Sequence, residues 1–571
     1  MDATVRRAQV ITTYGIGAMI ATRDESVMLA GLDFWPVTIP DLNEPRLERR
    51  LGVAGFVLPP GGEDAPSLPV VRFPIYHHCP SCHRLGRHWE LADGDSSSCR
   101  DCEVGLVPSR FVVACGRGHI DDFPYMQWVH GHAEWDKTHK LRLTTSGVSA
   151  ALRDVVISCE TCDAPDRSLE DAFKKGELAN LVTCWGKRPW LKDEEECGTM
   201  LRTLQRGASN VWFGHVVTAL SIPPWSDAAF DAINRFWPML RTVHEPDQVR
   251  TILEGMGGQA VLGTDVDEVI HAVMARKREE EGDAAGDENE FRRQEHDAIR
   301  AGRAETGADD QFVARPGEVP ASLARTVPEM VIVDRLREVR VLDGFTRLLP
   351  PGLDNEGEQE IAPISKGDMS WLPGIEVRGE GLFLNLVGEH LDDWEQRDDV
   401  RRRAAVLRTR HVAREHAGDE SRSPVSPRFL LVHTLAHALI DAFSLDAGYP
   451  AASLRERLYV DGDMAGLLIY TATSDSAGSL GGIVAQGAPE NFERVLLDAL
   501  RRMAWCSADP VCIESEAQGV GGLNLAACHC CALLPETSCE HRNVLLDRGI
   551  LVGIPEAPEL GYFNSLVSAH G

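Results

Sequence analysis

The chain lacks any run of 18 or more apolar residues, so the sequence predicts no membrane-spanning helix. It also lacks a G-x-x-x-x-G-K-[ST] phosphate loop, and with it the lysine and backbone cradle for hydrolysing nucleotide alone. A paired H-x-K phosphodiesterase motif and a nucleophile elbow are missing too. Basic residues are scarce: 58 Lys and Arg stand against 87 Asp and Glu, a formal net charge of −29. Such a surface repels a duplex, so nonspecific coating of nucleic acid is excluded, and any DNA contact must be local or shared with a partner. The opening residues, "MDATVRRAQVITTYGIGAM", have neither the long apolar core nor the small-residue cleavage site of a secretory leader. The expectation is a cytoplasmic protein whose thiols stay reduced.

Cysteine, by contrast, is abundant at fifteen residues, and in a reducing compartment that number points to metal rather than disulfides. Three sets have zinc-like spacing. In "YHHCPSCHRLGRHWELADGDSSSCRDCEVG", Cys79 and Cys82 form one C-x-x-C and Cys99 and Cys102 a second, with sixteen residues between the pairs. Two such knuckles complete a tetrahedron of thiolates, and the nearby His77, His78, His83 and His88 read as bystanders. The second set joins Cys159 and Cys162 to Cys184 and Cys197, with Cys115 and His119 as alternatives for one ligand. The third joins Cys528, Cys531 and Cys539 to an upstream cysteine, with Cys512 preferred over Cys506 and Cys530 left as an extra thiol. About three structural zinc ions are expected, with four ligands at each.

The fold class expected is α+β, multidomain, with zinc-ribbon-like modules and a mixed α/β C-terminal domain. Residues 1–70 read as a β-rich segment of short strands and turns, in which "TTYGIGAM" is a tight turn, since it lacks the third glycine of a dinucleotide fingerprint. Residues 71–215 carry the first two cysteine sets. Residues 216–324 read as a helical region followed by a charged linker, "ARKREEEGDAAGDENEFRRQEHDAIRAGRAETGADD", taken as a solvated helix or a partly disordered stretch. Residues 325–571 form the C-terminal domain with the third set.

Three features of that domain bear on function. "SPRFLLVHTLAHALIDAFSLDAGYP" predicts a buried helix with Ser426 as N-cap and Pro427 in the first turn. His433 and His437 share one of its faces, but Thr434 stands where a zinc protease has its glutamate, so both histidines are expected to satisfy buried polar partners. A glycine-serine loop, "SDSAGSLGGI", follows an apolar strand but leads to no lysine. "RDDVRRRAAVLRTRHVAREH" holds seven arginines between Arg397 and Arg414 at helical spacing. Of these Arg401, Arg402, Arg403, Arg408 and Arg410 are candidate phosphate contacts, because guanidinium forks match phosphate oxygens, though a solvated face would look the same.

The stretches "LLVHTLAHALI", "GYPAASLRERLY", "WCSADPVC" and "AACHCCALLPETSCEHRNVLLDR", together with "QVITTYGIGAM", "GLDFWP", "CGRGHIDDFPYMQWVHG" and "RGASNVWF", resemble the DrmB family of the bacterial DISARM antiphage system. The resemblance covers nearly the whole chain; one departure is Cys530, where the family tends to carry a small residue. It implies a protein that assists a DrmA-like superfamily-2 helicase, a DNA-translocating partner that senses or restricts foreign DNA. With no self-sufficient catalytic centre and no long apolar run in the sequence, the chain itself is expected to be non-enzymatic, to reach DNA through that complex and to have no membrane association. Two other readings remain open at this level. One is a nuclease or other hydrolase centred on His433, His437 and Asp475; the other is an assembly scaffold without DNA contact.

Overall fold

Short apolar runs broken by glycine and proline build the first half from small sheets, while longer apolar runs build the second half from long strands and a long buried helix. The structure is a computed structural model describing residues 5–570 except 23–24, 37–38, 62–65, 133–137, 146–150, 224–232, 234–236, 238, 241, 244, 259–265, 268, 271–272, 275–276, 278–287, 306–310, 352–358, 416–422 and 472–481. Asp475 and most of the glycine-serine loop lie outside the described residues. The architecture is α+β and multidomain, with two compact units of interleaved chain. The first comprises Met1–Leu42, Val53–Val217 and Arg340–Ile375; the second comprises Asn43–Gly52, Thr218–Val339 and Glu376–Gly571.

In the first unit a six-stranded sheet runs in the order Arg167–Ser168, Val155–Cys159, Leu141–Thr145, Arg84–Arg87, Tyr76–His78, Val107–Pro108. A three-stranded sheet places Phe111–Ala114 between Arg202–Gln205 and Ile120–Asp122. Trp128, Phe111, Val113 and Ile157 fill one core; Phe345, Trp190, Val112 and Ile120 fill another. Gly17 makes the expected tight turn: its φ is +79°, and a Cβ there would come within 2.6 Å of the Phe345 ring. Arg347 is buried behind that turn and donates to the carbonyls of Gly17, Gly118 and Val211.

The longest sheet has the strand order Phe213–Leu220, Glu329–Thr346, Leu372–Asn385, Gly466–Thr471, Leu454–Tyr459, with Val313–Gly317 paired to Glu329–Thr346. The helical region expected from residue 216 begins instead with a strand, Phe213–Leu220, that joins this sheet. In the second unit the helix Pro427–Ala447 packs on the strands Leu454–Tyr459 and Gly466–Thr471 and against the helices Pro489–Ala504 and Arg548–Val552. Ser426 caps it, its Oγ accepting from the Phe429 N–H at 3.2 Å. By length and composition this helix would span a bilayer, but 78% of its most apolar window is buried within the fold.

The charged linker also departs from expectation. Glu288–Ala301 is a helix whose Phe291, Glu295, His296 and Ile299 face the core. Glu295 is fully buried and accepts from Arg457 Nε (2.5 Å) and Nη2 (2.8 Å), from Arg46 (3.3 Å) and from the Leu220 N–H (3.0 Å). The composition of this stretch is dominated by charge and so suggests a solvated face. The ion pairs that permit its burial come from residues distant in the chain.

Candidate metal centres

Every cysteine is free, and each except the exposed Cys530 belongs to one of five four-residue clusters among the described residues. Within each cluster the candidate ligand atoms lie within 4.8 Å of one another. A tetrahedral zinc with ligands at 2.0–2.3 Å sets them about 3.3–3.8 Å apart, whereas a disulfide would bring two sulfurs to about 2.0 Å.

Cys79, Cys82, Cys99 and Cys102 come together as read from their spacing. Cys79 and Cys82 sit in the turn between Tyr76–His78 and Arg84–Arg87. The Cys79 N–H donates to Arg84 O (2.9 Å) and the His83 N–H to Cys79 O (2.9 Å). Cys99 and Cys102 repeat the loop through Cys99 N–H to Val104 O and Glu103 N–H to Cys99 O, both 2.8 Å. Each loop closes on a left-handed residue that is not glycine, His83 at φ 61° and Glu103 at φ 57°. Burial opposes ionisation of Cys79, but the N–H groups of Cys82 and Ser81 draw its thiol down to about 7. Burial pushes Cys82 up to about 12. A cation between them would hold all four as thiolates. His77, His78, His83 and His88 stay outside the cluster.

The second set divides. Cys184 and Cys197 join Cys115 and His119, whereas Cys159 and Cys162 join His130 and His139. Strand pairing is the reason. Arg202–Gln205 pairs with Phe111–Ala114, Arg202 opposite Ala114, which brings the Cys184–Cys197 loop to Cys115. Leu141 pairs with Cys159, which brings His139 within reach of Cys159. Cys115 Sγ lies 3.4 Å from His119 Nδ1 and 4.0 Å from Cys197 Sγ. His119 Nε2 is 2.9 Å from Glu195, an arrangement in which a carboxylate orients the imidazole and leaves Nδ1 for a metal. A hydrogen bond from Cys184, then the neighbouring His119, hold the Cys115 thiol down at about 3 despite burial. His130 Nδ1 donates to Met126 O (2.7 Å), which turns Nε2 toward His139 Nδ1 at 3.0 Å; Cys159 Sγ is 3.6 Å from that same Nδ1. The C-x-x-x-H spacing of Cys115 and His119 is legible in the sequence as an alternative, but His130 and His139 carry no pairing signal.

The third set is corrected in two places. Cys506 and Cys512 both join Cys528 and Cys531, and Cys539 belongs elsewhere. Sulfur separations are 3.6 Å for Cys506–Cys528, 3.8 Å for Cys512–Cys531 and 3.7 Å for Cys528–Cys531. Behind this knot Arg548 is fully buried, donating to Met503 O (2.8 Å) and paired with Asp509. Cys539 lies instead with His433, His437 and Glu456, and all four are buried. The fourth member, Glu456, comes from the strand Leu454–Tyr459 and sits as a potential ligand, not in the place of a protease's general base. Nothing in "LRERLY" marks Glu456 as inward-facing.

The arginine helix, Asp398–Glu415, buries Val400, Ala404, Leu407, His411 and Val412, a stripe that faces the core. Arg401, Arg402 and Arg408 are exposed on its other faces, and Arg401 and Arg408 line a cleft of about 590 Å³ with Arg428, Glu395 and Asp461. Arg403 departs from the reading as a solvated arginine: its Nε and Nη2 donate to the buried Asp547 at 2.5 and 2.8 Å. Arg410 donates to Glu516 O.

Residues 6–213 match the family model of a domain of unknown function, DUF8724. Residues 435–532 match the MrfA Zn-binding domain, a span that holds His437, Glu456, Cys506, Cys512, Cys528 and Cys531. The chain is 31% identical over 523 residues to the DISARM protein DrmB of Bacillus paralicheniformis, an alignment covering 88% of this chain and 91% of that protein. Identity at that level over nearly the full length of both proteins places the chain in the DrmB family of DISARM proteins.

Proposed function

We propose that the chain is a noncatalytic, zinc-stabilised component of DISARM antiphage defence. In this reading it acts in the cytoplasm beside a DrmA-like superfamily-2 helicase, helps that helicase engage foreign DNA and modulates its activity. One observation carries the noncatalytic part: each cysteine-rich cluster offers four protein ligands, which fills the tetrahedral shell of zinc and leaves no position for water or substrate. Such centres brace loops. Four of them, at Cys79, Cys115, Cys159 and Cys506 and their partners, would each hold one zinc. The antiphage role is supported by the similarity to a DISARM protein, and the need for a partner by the missing phosphate loop. DNA contact is supported by the exposed Arg401, Arg402 and Arg408, set against an acidic whole. A hydrolase at His433 and His437 is disfavoured because both imidazoles are fully buried.

The test is ATP turnover. The purified chain alone should show no DNA-stimulated ATP hydrolysis, and adding it to the helicase should change the helicase's DNA affinity or turnover. Hydrolysis that survives further purification of the lone chain would overturn the assignment. A helicase indifferent to the chain, yet bound to it, would favour a scaffold.

A further inference from the structure

The four-residue cluster of His433, His437, Glu456 and Cys539 differs from the others in composition and surroundings. All four side chains are buried, with His433, His437 and Glu456 at 0–1% exposure. Burying such groups is costly unless each polar atom has a partner. The outer faces of the two imidazoles are satisfied. His437 Nδ1 lies 2.7 Å from Ala532 O and His433 Nδ1 3.3 Å from Leu545 O; since a carbonyl only accepts, both Nδ1 atoms carry the proton. Glu456 Oε1 accepts from the Glu540 N–H at 3.0 Å.

The inner faces are not satisfied. His433 Nε2 sits 3.3 Å from Glu456 Oε1 and 3.3 Å from Cys539 Sγ. His437 Nε2 and Glu456 Oε2 are 3.7 Å apart, too far for a hydrogen bond, and both are buried atoms without a hydrogen-bond partner. Two imidazole lone pairs, a carboxylate oxygen and a sulfur therefore converge on one point; the Cys539 S–H is the one donor among them, and its contact to His433 Nε2 leaves His437 Nε2 and Glu456 Oε2 unpartnered. Protonating both histidines at Nε2 would not repair this, because one carboxylate cannot balance two buried imidazolium ions and the 3.7 Å gap would remain.

We propose that a zinc ion occupies this point, ligated by His433 Nε2, His437 Nε2, a Glu456 carboxylate oxygen and Cys539 Sγ. The ligand atoms lie within 4.8 Å of one another, and the His433 Nε2–Cys539 Sγ separation of 3.3 Å and the His437 Nε2–Glu456 Oε2 separation of 3.7 Å are edge lengths of a zinc tetrahedron. Imidazole, carboxylate and thiolate together suit a borderline metal. The charge also balances: one carboxylate and one thiolate neutralise the dication, so the filled centre is neutral, as full burial favours, whereas a four-thiolate site carries two negative charges. Each histidine donates its other ring N–H to a backbone carbonyl, the usual support for a metal-bound imidazole. The i, i+4 pair comes from the helix Pro427–Ala447, Glu456 from the strand Leu454–Tyr459, and Cys539 from the segment after the four-cysteine knot. The ion thus fastens the helix, the sheet and the segment that follows the knot at one atom. With four protein ligands it is a structural centre, and the paired histidines find a role that needs no hydrolysis.

Anomalous diffraction at the zinc edge from crystals of the full chain decides the matter without any substitution. The expected result is a peak between His433 Nε2 and Cys539 Sγ, separate from those of the four cysteine-rich clusters. No peak there, or a peak at another metal's edge only, overturns the proposal. Glu456→Gln adds a second arm, read by native mass spectrometry. As a metal ligand, Glu456 should take one zinc per chain with it when lost; in a metal-free hydrogen-bonded cluster, the glutamine amide would donate to the bare Nε2 atoms and the zinc count would not change. An unchanged count overturns the proposal, and if the variant fails to fold the diffraction result still stands. A missing peak here would leave the helicase-partner reading untouched, because that is tested by ATP turnover.

Discussion

At the scale of single residues, the clearest separation is between Arg403 and its neighbours. The Asp547 carboxylate is fully buried and accepts from both Arg403 nitrogens, from the Gly549 N–H (3.0 Å) and from the Ala526 N–H (3.3 Å). Its own N–H donates to Thr434 Oγ1 on the histidine helix at 3.1 Å. Arg403→Ala removes the guanidinium that neutralises that carboxylate and should cost roughly 3–5 kcal/mol, the usual penalty for orphaning a buried charge. Arg402→Ala, on an exposed face of the same helix, should cost less than about 0.5 kcal/mol. Urea unfolding combined with hydrogen exchange at the Ala526 and Gly549 amides checks both. Equal losses of stability in the two variants would show that the Arg403–Asp547 pair does not hold the fold. Adjacent arginines in one motif thus divide between brace and surface, a division that arginine content alone does not reveal.

At the scale of elements, legibility follows the range of the information. The helix Pro427–Ala447 is readable with its cap, because Ser426, Pro427 and the apolar run are all local. The first cysteine cluster is readable because each C-x-x-C closes its own knuckle, and only two knuckles have to meet. The second and third sets are misassigned from spacing where ligands arrive by strand register: Cys159 finds His139 through the Leu141–Cys159 pairing, and Cys539 finds Glu456 across the chain. Spacing cannot encode either meeting. The arginine helix lies between these cases, with its helical spacing legible and neither its buried stripe nor the fate of each arginine so. Its exposed face carries the prediction at this scale. Replacing Arg401, Arg402 and Arg408 with alanine should weaken DNA binding by the helicase complex. It should also flatten the salt dependence, by about 0.9 in log–log slope for each phosphate no longer neutralised. The comparison is a titration of labelled duplex at several salt concentrations. An unchanged slope would reduce this face to a solvated surface and strengthen the scaffold reading.

At the scale of the whole molecule, the candidate metal clusters are not equally sheltered. His130, His139, Cys159 and Cys162 are all only partly buried, whereas the histidine–glutamate–cysteine cluster is sealed. A chelator can reach a ligand at the surface through small local openings, but it reaches a sealed ion only when the surrounding core opens, and that opening costs a large part of the global stability. Zinc release to a colorimetric chelator should therefore be multiphasic. The fast phase should come from the His130 cluster, and Cys162→Ser should abolish that phase while leaving the slower ones in place. The slowest phase should accelerate only in denaturant, because zinc in a sealed centre leaves when its domain unfolds. Release of all the zinc in one rapid phase without denaturant would mean that burial does not set access, and that the centres are not the internal braces their geometry describes.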